Sequence, residues 1–239
     1  MKHPDPASVL ATLLQSKGSS LALALGRAPA EVSSEAVDHD ASPGRRSLPP
    51  ALRESLVVAG GVVELVGQPG LGALSLALSC ASVVLAQRRS TSTAAAWLCV
   101  IDPGRSLFAP AVAGLGIPLE RLLVVTPPLK SLARTSVRVL KTGVFCAVVV
   151  DATALHDLDG LPVRRFTLAA EASASTVFLL THEDARRRQP LPTAVRARLH
   201  PAAAGVDVDI ERHRHGRRGS LPWQRPLSPV ELFFSEPRP

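Results

Sequence analysis

The chain has 239 residues, 46% of them hydrophobic but only 3% aromatic, and 27 Lys and Arg against 20 Asp and Glu leave a net charge of +7. That length suits one domain with a sizeable core, and a core made of Ala, Val and Leu points to aliphatic helix-on-sheet packing rather than an aromatic-rich β fold. No apolar run reaches the roughly 20 residues of a membrane span, and the start MKHPDPASVL carries charge and proline where a signal peptide needs an apolar segment; the expectation is a cytoplasmic protein with no membrane partner.

In chain order, residues 6–16 (PASVLATLLQS) place Val9, Leu10, Leu13 and Leu14 on one face of a short amphipathic helix. Residues 18–50 are rich in Ala, Ser, Pro and mixed charge without periodicity and read as a linker, so residues 1–50 form an N-terminal helix and flexible linker. VVELV (62–66) predicts a strand, the glycine-rich turn GQPGLG follows, and a helix runs from about Leu74 to Gln87. AWLCVI (96–101) predicts a second strand ending at Asp102, then a helix near Leu107 to Leu115, the strand LLVV (122–125) and a helix over SLARTSVRVL (131–140). FCAVVVD (145–151), a helical stretch around 162–173 and STVFLL (175–180) complete the alternation. Strands apolar on both faces and separated by helices imply an α/β fold with a mostly parallel central sheet flanked by helices. TAVRARLH and VDVDIERH alternate strictly, the pattern of half-exposed antiparallel C-terminal strands, so the core is placed at 51–215 and a basic, proline-rich tail at 216–239.

The turn has the outline of a phosphate-binding loop, G-x-x-x-x-G-K-[ST], in which backbone N–H groups cradle phosphates, lysine reaches the outer ones and the hydroxyl holds magnesium. Gly67 and Gly72 keep the spacing, with Gly70 between them, but Ala73 stands at the lysine position, Leu74 at the hydroxyl position, and Ser75 comes one place late. A glycine turn at a helix N-terminus still attracts an anion weakly, so the expectation is no cofactor, with weak nucleotide or phosphate binding left open. Open α/β sheets bind ligands at the carboxyl ends of their strands, which would gather this loop, Asp102, Asp151 and the Thr181-His182 pair. Asp151 ends an apolar strand as a magnesium-organising acid does, although capping the next helix selects Asp there too. Cys80, Cys99 and Cys146 sit in apolar patterns and are expected to be inert buried thiols. No C-x-x-C or H-E-x-x-H spacing supports a metal site, and His213 with His215 reads as solvated.

Residues 186–225 hold ten Arg against three acids, so the whole net charge lies there. Arg186, Arg187, Arg188, Arg212, Arg214, Arg217 and Arg218 are the candidates for contact with DNA phosphates or an acidic partner, unless they only keep a tail soluble. A dinucleotide loop reading of Gly67, Gly70 and Gly72 fits poorly. The glycine spacing departs from G-x-G-x-x-G, Asp102 lies too far along the chain, and no tyrosine is present for tyrosine-dependent hydride chemistry.

The strings GQPGLGALSLALSCASVVLA, WLCVIDPGRSLFAPAVAGLGIPLERLLVVTP, FCAVVVDATAL and STVFLLTHE together resemble the RecA recombinase core, over roughly residues 50–215. Within that group the short length, the N-terminal helix before a linker and the ending VDVDIERHRHGRRGSLPW are most similar to ImuA-type proteins, accessory factors of the bacterial translesion mutasome that work beside ImuB, a Y-family polymerase homologue without catalytic activity, and an error-prone DnaE-type polymerase. The resemblance implies a non-catalytic scaffold in DNA damage tolerance with an ImuB-like partner, and RecA, the DnaE-type polymerase and DNA as further contacts. It also implies that the water-activating glutamate of recombinases falls on Gly104, that Asp151 retains the second acidic motif, and that Thr181-His182 replaces a polar sensor pair. Arg186 to Arg188 lie where RecA-like proteins carry a DNA-contacting loop. Phe233 and Phe234 in SPVELFF resemble sliding-clamp peptides, with docking against the protein's own core the preferred reading. The alternatives are a weak ATPase and a DNA-binding module using the arginine-rich part.

Overall fold

The computed structural model of the protein describes residues 48–91, 96–155, 160–184, 190–203, 205–216 and 218–224. The helix expected over residues 6–16, the linker up to residue 47, Arg186 to Arg188, Arg217 and the Phe233-Phe234 pair lie outside them. The expected apolar strands are β1 (Val62–Gly67), β2 (Trp97–Ile101), β3 (Leu122–Val125), β4 (Phe145–Asp151) and β5 (Thr176–His182). Their β-branched and aromatic side chains favour an extended backbone, and strands apolar on both faces are stable only between two covering layers. The intervening helices provide those layers: α1 (Pro50–Leu56), α2 (Ala73–Thr91), α3 (Ala109–Gly114), α4 (Leu132–Lys141) and α5 (Gly160–Ser173).

With β6 (Val195–Ala202), β7 (Gly205–His213) and β8 (Gly219–Trp223) the strands form one sheet in the order β3-β2-β4-β5-β1-β6-β7-β8. Pairing is parallel from β3 through to β6 and antiparallel from β6 to β8. One face packs on α1, α2 and α3 through Val63, Leu65, Val100, Val149 and Phe178. The other packs on α4 and α5 through Val62, Ile101, Val148, Val150 and Leu179. Beyond β1 only the first face stays apolar: Val195, Ala197 and Leu199 of β6 and Val208 and Ile210 of β7 join the first core cluster. The residues between them, Arg196, Arg198, Asp209 and Glu211, therefore point to the opposite side.

Three elements depart from expectation. β6 alternates like an antiparallel strand but runs parallel to β1, with Val63 opposite Val195, because its alternation reports one-sided burial and not direction. The sheet continues past residue 215 into β8, whose GSLPW sequence carries weak strand signal yet buries Trp223. Helix α1 opens where a linker was expected to end, with proline in its first turn and Leu52 and Leu56 fully buried four residues apart. All three cysteines are buried, and burial pushes every thiol up, that of Cys146 to about 11 against the opposing charge of Arg88. They behave as small apolar side chains, as expected.

If α1 is an integral cover of the sheet, Leu52→Ala should lower the unfolding free energy by about 2–5 kcal/mol, whereas Arg53→Ala beside it should change it by less than about 0.5 kcal/mol. Urea denaturation followed by circular dichroism separates the two outcomes.

Candidate functional site

The turn after β1 sits at the carboxyl ends of the parallel strands, with Gly67 in register with His182 of β5. Gly70 and Gly72 hold φ values of 87° and 86°, a left-handed backbone that side chains disfavour. At Gly67 an added Cβ would come within 3.4 Å of Leu199 Cβ. Gly70 and Gly72 are thus accounted for by the turn itself, whereas the contact at Gly67 is an ordinary one that does not require glycine. The Leu76 N–H donates to the Gly72 carbonyl at 2.9 Å, so α2 begins directly at Ala73. Leu71, Ala73 and Leu74 are partly buried and pack against the first core cluster. Gln68 reaches from the loop to donate to the Glu183 carboxylate. The loop therefore presents apolar side chains and a neighbouring acid where a phosphate site needs a cation.

The acids at the strand ends serve the turns that follow them. Asp102 is buried; its Oδ2 accepts from the Leu107 N–H at 2.8 Å and its Oδ1 from the Ser106 hydroxyl at 3.3 Å. Asp151 Oδ1 accepts from both the N–H and the hydroxyl of Thr153, at 3.0 and 2.6 Å. Both are local hydrogen-bond acceptors in the turns after their strands, and neither caps the helix that follows. Gly104 is exposed, and a Cβ there would stop 3.7 Å from Asp102 Oδ1, so packing does not demand a glycine at the position the resemblance gives to the water-activating glutamate. Among the described residues no group of three or more His, Cys, Asp or Glu is arranged to hold a metal ion.

A charged network on the second face of the sheet was not anticipated. Glu64 lies in the middle of β1 with 0% of its surface exposed. The hydroxyl of Thr181 donates to it from β5 at 3.1 Å, and Arg196 Nη1 approaches from β6 at 3.5 Å. Arg196 and Arg198 each donate an Nε–H to Glu211 of β7, at 2.6 and 2.5 Å. Partial burial would raise the Glu211 carboxyl, but hydrogen bonds and charge from Arg198 and Arg196 outweigh it and hold the group below the ordinary glutamate value. Its signal was present in the sequence, a lone charge inside the apolar run VVELV. Thr181 of the expected sensor pair belongs to this network, while His182 Nδ1 accepts from the Asp184 N–H at 3.1 Å.

The predicted surface arginines part company. Arg212 is half-buried and donates to the Leu191 carbonyl at 2.6 Å and to the Thr193 hydroxyl, pinning the segment that leads into β6. Arg214 is exposed and lies 3.8 Å from Glu171 of α5, and Arg218 is exposed. Arg212 is thus committed to the fold; Arg214 and Arg218 face solvent.

Arg196→Met should cost about 3–5 kcal/mol by removing the guanidinium that Glu64 and Glu211 share, and adding Glu64→Gln should recover part of it; equal costs in the single and double variants, measured by chemical denaturation, would show that Glu64 does not depend on Arg196. Because the Glu211 carboxyl is lowered in the fold, its contribution is fully present above about pH 4.3, the ordinary glutamate value, and is lost as pH falls through the folded value. Unfolding midpoints of the parent chain and Glu211→Gln should therefore differ at neutral pH and converge in acid.

No family model matches the chain, and no curated protein matches it. The crystal structure of the RadB recombinase superimposes with a TM-score of 0.54 at 18% sequence identity, covering 71% of this chain and 90% of that one. At that identity the likeness speaks to the fold alone. A mostly parallel eight-stranded sheet between helical layers, with its antiparallel strands at the C-terminal edge, gives this chain a RecA-like fold.

Proposed function

We propose that the chain is a non-catalytic RecA-like scaffold in DNA damage tolerance, bridging translesion components: an ImuB-like polymerase homologue, RecA and an error-prone DnaE-type polymerase. One observation carries the non-catalytic part. The loop that would hold phosphates turns Leu71, Ala73 and Leu74 onto the apolar core, and the nearby Glu183 carboxylate is hydrogen-bonded to it through Gln68. Phosphoryl transfer depends on positive charge placed around the terminal phosphates, and one ion pair at about 4 Å is worth roughly 4 kcal/mol at an effective dielectric near 20. A site without the lysine, the metal-binding hydroxyl and the water activator lacks several such contributions at once. What remains is a folded frame with exposed helices, and the sequence resemblance to ImuA-type proteins supports the pathway and the partners.

A fluorescent ATP analogue titrated into the protein should show no magnesium-dependent binding in the micromolar range; saturable binding with turnover would favour the weak ATPase reading. The double change Ala73→Lys, Leu74→Thr should leave complementation of a damage-tolerance defect at the parent level. Co-purification with an ImuB-like protein should survive charge reversal at Arg214 and Arg218. Loss of all activity together with salt-sensitive DNA binding would favour the DNA-binding module instead.

A further inference from the structure

Helices α4 and α5 lie side by side over the second face of the sheet, and between them opens a cavity of about 500 Å³. Its apolar wall is Val137 and Leu140 from α4 and Leu168 and Ala169 from α5. The space exists because the C-terminal half of α5 offers small side chains, Ala169, Ala172 and Ser173, to a neighbour that ends at Lys141 and is followed by Gly143. Leu168 stands at this opening 59% exposed.

The charge around the opening has one sign. α4 carries Arg134, Arg138 and Lys141 and no acid. α5 carries Arg164 and Arg165 and a single acid, Glu171, whose carboxylate lies 3.8 Å from Arg214. All five cations of the two helices are exposed, and Lys141 and Arg165 line the cavity itself. A nucleic-acid backbone would engage the cations but leave the apolar floor unused. An apolar groove between helices with a basic rim matches the way amphipathic helices are held, by apolar side chains repeating every three to four residues.

We infer that the α4–α5 groove is the docking site for an acidic amphipathic helix of a partner protein. Its apolar side chains enter between Val137 and Leu168, above the buried Leu140, and its carboxylates face Lys141 and Arg165. The inference rests on the reading of the chain as a scaffold, which needs a face for its partners, but the two answer to different measurements: nucleotide binding and turnover test the scaffold, peptide binding tests the groove.

The probe is a fluorescein-labelled peptide of about five helical turns, with leucines along one stripe and glutamates elsewhere, titrated into the full chain by fluorescence anisotropy. Binding should weaken about tenfold or more with Leu168→Glu or Arg165→Glu, as at a buried interface anchor, and also with Ala172→Leu, which fills the groove. It should be unchanged by Leu161→Glu, which alters an equally exposed leucine of the same helix outside the cavity. A sequence-scrambled peptide and a lysine-for-glutamate peptide should not bind. All four altered positions are exposed, so circular dichroism should report an intact fold for every variant. Equal affinity of the parent and Leu168→Glu chains would overturn the inference. So would tighter peptide binding by a Phe233→Asp, Phe234→Asp chain, which would assign the groove to the protein's own C-terminal segment, or duplex DNA displacing the peptide with an affinity indifferent to Leu168.

Discussion

Strand β1 is bonded along one edge to β5 and along the other to β6, and every one of its residues is buried. A strand in that position has no water to turn to, so each backbone group and each side chain must be satisfied by its two neighbours and the helices above and below. Glu64 makes the demand acute. Its carboxylate finds a hydroxyl on β5 and a guanidinium on β6, so one side chain links three consecutive strands through Thr181 and Arg196. Through Arg196 this charged tie reaches β6, the strand on which the antiparallel extension is built. Arg196 and Arg198 share Glu211 on β7 and carry the same network one strand further.

The glycine turn hangs from the end of that strand, and its chemistry follows from what surrounds it. Left-handed conformations at Gly70 and Gly72 are requirements of the connection into α2. They would hold whether or not a phosphate ever entered. Apolar residues at 71, 73 and 74 then act as ordinary parts of the helix-to-sheet packing. The backbone of the turn and the apolar side chains along it are thus both explained by the fold. The cationic side chains of the described fold lie elsewhere: some are consumed internally by Glu64 and Glu211, and others are displayed on α4 and α5, where no acid of those helices faces them except Glu171 beside Arg214.

Much of this was legible in the residues. Short double-faced apolar runs rich in β-branched and aromatic residues, such as FCAVVVD and STVFLL, read as buried strands, and their alternation with helical stretches points to a parallel sheet. The absent lysine and hydroxyl after Gly72 are visible at a glance, as is the one-sided burial of TAVRARLH. Helix α1 and strand β8 were not legible, because seven and five residues carry too little pattern to outweigh their Pro and Gly; burial of Leu52 and Trp223 decides both. Arg212 shows the same limit for function. By composition it belonged with the surface arginines, yet it is bonded to Leu191 and Thr193.

The sequence by itself determined the fold class, the strand and helix alternation and the absence of a lysine and a hydroxyl directly after Gly72, since these depend on residue type and local spacing. Only the tertiary structure decided that β6 runs parallel to β1, that Glu64 meets the Thr181 hydroxyl and the Arg196 guanidinium, and that α4 and α5 leave a basic, apolar groove between them. Those features join residues more than a hundred positions apart, or arise from how two separate helices fit. Pairing of that kind is set by packing and desolvation, which no local pattern encodes.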